Sequence, residues 1–255
     1  MSRMPCLFVG HGSPMNAVED NAFTRVWEEL GSTLPRPERI LCVSAHWFTE
    51  GTLALTGDQP RTIHDMYGFP EELYRIVYPA PGAPDTAERA LALLGNRARP
   101  DDSWGFDHGA WSVLRRMYPK ADIPLTLLSV NRRASMEEHL ALGRALRPLR
   151  EEGVLIVASG NIVHNLASID WQRKGGFDWA DAFDLYIKEA LRERDTDRVL
   201  HYEKAGPCAA LSFRTVEHYA PLLYALGASD EQDEITVFNE ARVLGSLSMT
   251  GYRFG

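Results

Sequence analysis

Three histidines stand at or just beyond the ends of short apolar runs: His11 after Leu7-Phe8-Val9-Gly10, His46 after Val43-Ser44-Ala45, and His164 after Ser159-Gly160-Asn161. Neutral imidazole is the commonest nitrogen ligand for zinc, iron and copper, and its ionisation near neutral pH makes it the usual general acid or base. If these runs are strands of one sheet, their ends share a crevice, and side chains distant in sequence meet there. The chemistry to expect is metal binding, proton transfer, or both.

Each histidine also has a plain structural reading. His11 lies in Gly10-His11-Gly12-Ser13-Pro14, where flanking glycines permit a tight turn and close approach of a ligand to the backbone. His46 precedes Trp47 and, taken alone, reads as a core residue; His218, in Thr215-Val216-Glu217-His218-Tyr219, reads as a helix-face residue. His164 fits equally as a ligand or as a neighbour of one. His108 opens a helix after Asp107, where the macrodipole disfavours the protonated ring; the plain alternative is capping by Asp107 with His108 exposed. His64 sits in an aromatic-rich loop, whereas His139 and His201 lie in charged helical stretches and are expected at the surface. No H-E-x-x-H, cysteine-pair zinc motif, phosphate loop, G-x-S-x-G elbow or strand-linked G-x-G-x-x-G occurs.

The elements that must position these residues follow from hydrophobic periodicity. Continuous apolar runs at residues 6–10, 39–47, 124–130 and 154–159 predict strands buried on both faces. Three-to-four spacing predicts helices over 17–30, 70–78, 84–94, 109–118, 135–152, 179–192 and 215–226, and a late strand falls near 234–237, with another near the C-terminus. Ser135 followed by Glu138 is a capping box. Strands alternating with helices predict an α/β fold, one domain over residues 1–255, with a mostly parallel or mixed central sheet and helices on both faces. Ligands of such sheets bind beyond the carboxyl ends of the strands.

Among 255 residues, 45% are hydrophobic and 24% charged, the balance of a globular chain with a sizeable core. A formal net charge of -8 argues against nucleic acid as a partner. No apolar run is long enough to span a bilayer, and the run at residues 6–9 is too short for a signal peptide. Cys6, Cys42 and Cys208 form no C-x-x-C pair and read as reduced thiols, the first two buried, so a cytoplasmic, soluble protein is expected. Nothing bears on oligomeric state.

Six segments taken together carry a resemblance: GHGSP at 10–14, SAHW at 44–47, HDMYGFP at 64–70, DHGAW at 107–111, GNIVHNL at 160–166 and EHYAPLL at 217–223, with GSLSM at 245–249 near the end. In this order they resemble the class III extradiol ring-cleavage dioxygenases, LigB-like, in the branch related to 4,5-DOPA extradiol dioxygenase. The resemblance implies that His11, His46 and His218 bind the metal. It implies that His164 is a further ligand or an acid/base beside it, and that His108 lines the active site.

The same resemblance implies Fe(II) as the active metal, O2 and a small catechol-type diol such as DOPA as substrates, and a ring-opened semialdehyde as product. One departure stands out: many non-haem iron oxygenases use two histidines and one carboxylate, whereas the matching position here is His218, with Glu217 adjacent. An all-histidine site also accepts Zn(II). Two alternatives therefore stand beside the dioxygenase: a zinc-dependent hydrolase using the same residues, and a non-enzymatic binding protein on the same fold. Substrate range is expected to depend on loops 61–70 and 168–178, whose Tyr67, Phe69, Trp171 and Phe177 read equally as contacts for the ring or as packing residues.

Overall fold

Alternate residues of the apolar runs feed two different cores, and that alternation builds the molecule. In the computed structural model, which describes residues 3–255, Cys6 and Phe8 of strand β1 (Cys6–Gly10) pack on one side of the sheet while Leu7 and Val9 pack on the other. Strand β2 (Arg39–Thr49) divides in the same way: Leu41 and Val43 face the first core, Ile40 and Cys42 the second. Because side chains alternate with period two, a run buried on both faces must be apolar throughout.

The remaining strands are β3 (Thr52–Ala54), β4 (Ala98–Pro100), β5 (Leu125–Asn131), β6 (Val154–Gly160), β7 (Ile235–Phe238), β8 (Arg242–Val243), β9 (Leu247–Ser248) and β10 (Gly251–Phe254). Eight of them form one mixed sheet in the order β4-β3-β5-β2-β6-β1-β10-β7, while β8 and β9 pair separately. The four central strands β5, β2, β6 and β1 run parallel, and β10 and β7 close one side antiparallel. The carboxyl ends of β1, β2 and β6 therefore open on the same edge.

Helices cover both faces: α1 (Ala22–Thr33), α2 (Glu71–Tyr74), α3 (Pro84–Leu94), α4 (His108–Met117), α5 (Met136–Leu146), α6 (Asp178–Arg192), α7 (Thr196–Leu200), α8 (Pro207–Ser212) and α9 (Pro221–Ala228). Trp27 of α1 and Trp111 of α4 fill the second core; Leu140 and Leu146 of α5 join Phe183 of α6 and Tyr224 of α9 in the first. The α/β reading with a mixed sheet and helices on both faces holds.

Several boundaries shift for local reasons. The helix expected over 17–30 begins at Ala22, because the Asn21 side chain accepts from the Phe23 and Thr24 amides and caps α1 there. The one expected over 215–226 breaks into a 3-10 turn at Val216–His218 and then α9, which starts at Pro221. The capping box forms as expected, with Ser135 Oγ accepting from the Glu138 amide and Glu138 Oε2 from the Ser135 amide. Short β3 and β4 and helices α7 and α8 carry too little periodic signal to be seen in the sequence.

The structure corrects His139. Expected at the surface, it is fully buried between α5 and α9, with Nδ1 3.2 Å from the Tyr224 hydroxyl. The charged neighbours Glu137 and Glu138 mislead because they are exposed beside it on the same turn; His201 lies at the surface as expected, though half-buried, with its side chain 41% accessible.

Candidate metal centre

Each site histidine is delivered by a different feature of the parallel strand ends. His11 is the first residue beyond β1, and its amide donates to Gly160 O (3.1 Å), continuing the β1–β6 pairing. His46 lies within β2 where the register with β5 shifts between Ser44 and Phe48; such an irregularity re-aims side chains relative to a regular pleat. The turn carrying His218 folds back over the end of β6, with the Asn161 amide donating to His218 O (2.8 Å). That approach needs Gly160, where a Cβ would stand 2.1 Å from His218 O. Likewise Gly109 allows the start of α4 to reach β2: a Cβ there would stand 2.8 Å from His46 Cδ2.

One nitrogen each from His11, His46 and His218 lies within 4.8 Å of the others. Two further groups overlap this one, His46 with Asp65 and His108, and His164 with Glu217 and His218. His164 stacks flat on His218, ring centroids 3.5 Å apart and planes 6° apart, so it adjoins the trio by its face. His108 stands beside His46, with centroids 3.8 Å apart. All five histidines named from the sequence are thus neighbours. His64 is held in its loop by Ile76 O (3.0 Å), apart from the trio.

Hydrogen bonding decides which nitrogens face inward. Ser159 Oγ has one proton and donates it to Gly109 O (2.6 Å), so it accepts from His11 Nδ1–H (2.9 Å) and leaves His11 Nε2 as a bare lone pair. An Asp65 carboxylate oxygen lies 3.1 Å from His46 Nδ1, and Glu217 Oε1 3.3 Å from His218 Nδ1. Both oxygens can only accept, which again leaves Nε2 free. His11 Nε2 and His46 Nε2 are 3.1 Å apart, and buried His218 Nε2 has no partner.

Two lone pairs at that separation repel unless a cation or a proton lies between them. Nitrogens bound to one metal at about 2.0–2.1 Å stand roughly 2.9–3.4 Å apart. The donor set therefore fits a metal ion, with each Nδ1–H anchored to an oxygen as metal-bound imidazoles usually are.

Electrostatics agree. Burial, with the neighbouring imidazoles, holds His11 and His218 well below the ordinary histidine range. Burial is the largest influence on His46 and opposes its imidazolium, but the carboxylates of Asp65, Asp107 and Glu217 together outweigh it and the net shift is upward. Burial followed by the charge of His46 lowers His108 to about 4, and burial with the same neighbours lowers His164 to about 3. Both rings are thus neutral near pH 7 and available to accept protons.

Three supporting residues, Ser44, Asp65 and Ser159, were not singled out in the sequence although they lie in or beside the quoted segments, while Asp107 caps the helix as the plain reading had it, with His108 buried rather than exposed. Asp107 takes the Ser44 hydroxyl (2.6 Å), Trp104 Nε1 (3.0 Å) and the Ala110 amide (3.1 Å), locking α4 to β2. Polar partners of a histidine leave no periodic trace, so only their adjacency to the motifs marked them.

Of the loop aromatics, Tyr67 and Trp171 are 91% and 79% exposed and free to meet a ligand. Phe69 packs against the second core, and Phe177 against the first with Arg173 over its ring. A groove of about 790 Å³ between α5, α6 and the residues after α9 lies away from these histidines. Its Arg147 and Arg194 already donate to the Gly227 and Asp233 carbonyls, so chemistry rather than volume locates the site.

An α/β sheet with clustered imidazoles at its carboxyl edge has the donor set of a potential metal site, the kind of centre that metal-using enzymes of this architecture carry. Comparison specifies it further. The chain belongs to the family described as the catalytic LigB subunit of aromatic ring-opening dioxygenase, whose profile matches residues 5–255, and it is accordingly an extradiol ring-opening dioxygenase. It is 47% identical to a 4,5-DOPA dioxygenase extradiol of Escherichia coli (strain K12), over 100% of this chain and 96% of that protein. A protein of the same description from Beta vulgaris is 37% identical over 97% and 95%. A crystal structure of an uncharacterized Escherichia coli K12 protein superposes with a TM-score of 0.87 at 44% identity, covering 99% of this chain and 100% of that one.

Proposed function

We propose that the chain opens the ring of a catechol-type diol such as DOPA with O2, using Fe(II) held by His11, His46 and His218, with His164 and His108 as the acid–base residues. The observation that carries this reading is the clustering of one ring nitrogen each from His11, His46 and His218 within 4.8 Å, while an oxygen faces Nδ1 of every one of these rings. Fe(II), when bound, supplies a Lewis acid for the diol and a one-electron partner for O2. Overall, the C–C bond beside the diol breaks, both atoms of O2 enter the product, and a muconic semialdehyde results.

Within the chain, His108 keeps Nδ1 against Asp65, which leaves Nε2 to take a proton from a substrate hydroxyl. His164, neutral and fixed by stacking on His218, accepts a proton from the substrate and returns it as the oxygen–oxygen bond breaks. Exposed Tyr67 and Trp171, on loops 61–70 and 168–178, are the aromatic side chains we assign to the substrate ring. We assign residues 1–255 to one catalytic domain, supported by the extent of the family match and the unbroken eight-stranded sheet. A cytoplasmic location is supported by three free cysteines, two of them buried; among the described residues no helix is long and apolar enough to cross a membrane.

Anaerobic loading with Fe(II), followed by DOPA and air, is expected to consume O2 and form a yellow product. Zn(II) in the same site is expected to bind and give no O2 uptake. A chain fully loaded with Fe(II) that consumes no O2 with any catechol overturns the reading, and turnover with Zn(II) independent of O2 replaces it with a hydrolase. His164→Ala is expected to lower turnover by about 10²–10⁴-fold while retaining metal; loss of metal would make His164 a ligand.

A further inference from the structure

We infer that Asp65 is the positioning residue of this centre: one carboxylate sets the tautomer and aim of both a metal ligand, His46, and an acid–base residue, His108. The inference rests on the metal site proposed above and adds to it a residue that none of the five histidine assignments includes. Asp65 Oδ2 lies 3.1 Å from His46 Nδ1 and 3.0 Å from His108 Nδ1, so a single oxygen faces both rings. The other oxygen, Oδ1, accepts from the His108 backbone amide (2.9 Å), tying the carboxylate to the first residue of α4. An acceptor-only oxygen this close to both Nδ1 atoms favours hydrogen on each of them and a bare lone pair on each Nε2.

The aim of Asp65 is itself determined from both sides. Before it, the Ile63 amide donates to Phe106 O (2.8 Å), and Trp111 Nε1 donates to Ile63 O (2.9 Å). His64 Nε2 is bonded to Ile76 O (3.0 Å). Beyond it the chain runs out to exposed Tyr67 and to Gly68 at φ +77°. Asp65 thus lies in the partly buried arm of a loop whose outer end meets solvent, and any displacement of that arm moves both His46 and His108 contacts together. Groups that orient ligating histidines in this way change metal affinity by about 10–100-fold when removed.

Zn(II) titration against a chromophoric chelator separates the possibilities. Wild type and His108→Ala are expected to bind one Zn(II) with similar affinity, His11→Ala to lose binding, and Asp65→Asn to bind about 10–100-fold more weakly. Long-range nitrogen–proton NMR of the Zn(II)-loaded protein is expected to show hydrogen on Nδ1 of both His46 and His108 in wild type. In Asp65→Asn, where an amide N–H can face the ring instead, the His108 hydrogen is expected to move to Nε2. Unchanged affinity and tautomers in Asp65→Asn overturn the inference. So does Nε2–H on either ring of the wild-type protein, a reading that holds even if the variant does not fold. Retention of Zn(II) by His11→Ala would instead overturn the metal site and leave the Asp65 contacts standing.

Discussion

At the scale of single residues, burial lowers the ionisation of four of the five clustered imidazoles, His11, His108, His164 and His218, while carboxylates raise that of His46. His139 shows the same physics where no ligand is involved: fully buried beside the Tyr224 hydroxyl, with Nε2 unpartnered, its ionisation is lowered by burial from 6.5 to about 4. Between those values the unfolded chain binds a proton that the folded chain does not, so stability falls as pH drops through that window and is regained as pH rises. One such group contributes up to about 2 kcal/mol between pH 6.5 and 5. In the Zn(II)-loaded protein, the difference in melting temperature between pH 7 and pH 5 is therefore expected to shrink in His139→Gln. An unchanged difference would mean that His139 is already protonated in the fold.

At the scale of elements, the centre exists because the start of α4, the irregular end of β2 and the 216–218 turn come closer than side chains ordinarily permit. Gly109 is the tightest of these contacts on the His46 side, since its missing Cβ would meet both His46 Cδ2 at 2.8 Å and Ser44 Oγ at 2.9 Å. Gly109→Ala must push α4 from β2 or rotate His46, a strain of about 1–3 kcal/mol. The expected result is a lower melting temperature together with weaker Zn(II) binding. Wild-type values for both would show that the helix end moves without disturbing the ligand.

At the scale of the whole molecule, buried Arg150 joins parts of the chain that no single element connects. Its guanidinium donates to Met4 O (2.7 Å), Ala228 O (2.9 Å) and Phe254 O (3.2 Å), and pairs with Asp233 through contacts of 2.6 and 2.9 Å. Removing the carboxylate leaves a buried cation with carbonyl partners alone, and breaking such a pair costs about 3–5 kcal/mol. Asp233→Ala is expected to melt at least about 6 °C below wild type by calorimetry, yet still bind one Zn(II), because the pair touches no site histidine. A melting temperature within about 2 °C of wild type would mean that water or Asp230 replaces the lost charge.

What the sequence determined by itself was the local grammar: apolar runs such as 6–10 and 154–159 had to be strands buried on both faces, Ser135 and Glu138 had to start a helix, and histidines lay near the carboxyl ends of such runs, His46 still inside its strand. Those signals survive because period and capping act over a few residues. Only the tertiary structure decided that His139 is interior, that His164 meets His218 face to face, and that Asp65 serves two rings at once. Each of these depends on groups 19 to 85 residues apart meeting at particular distances and angles, and no local pattern in a chain encodes the orientation of one side chain toward another across a fold.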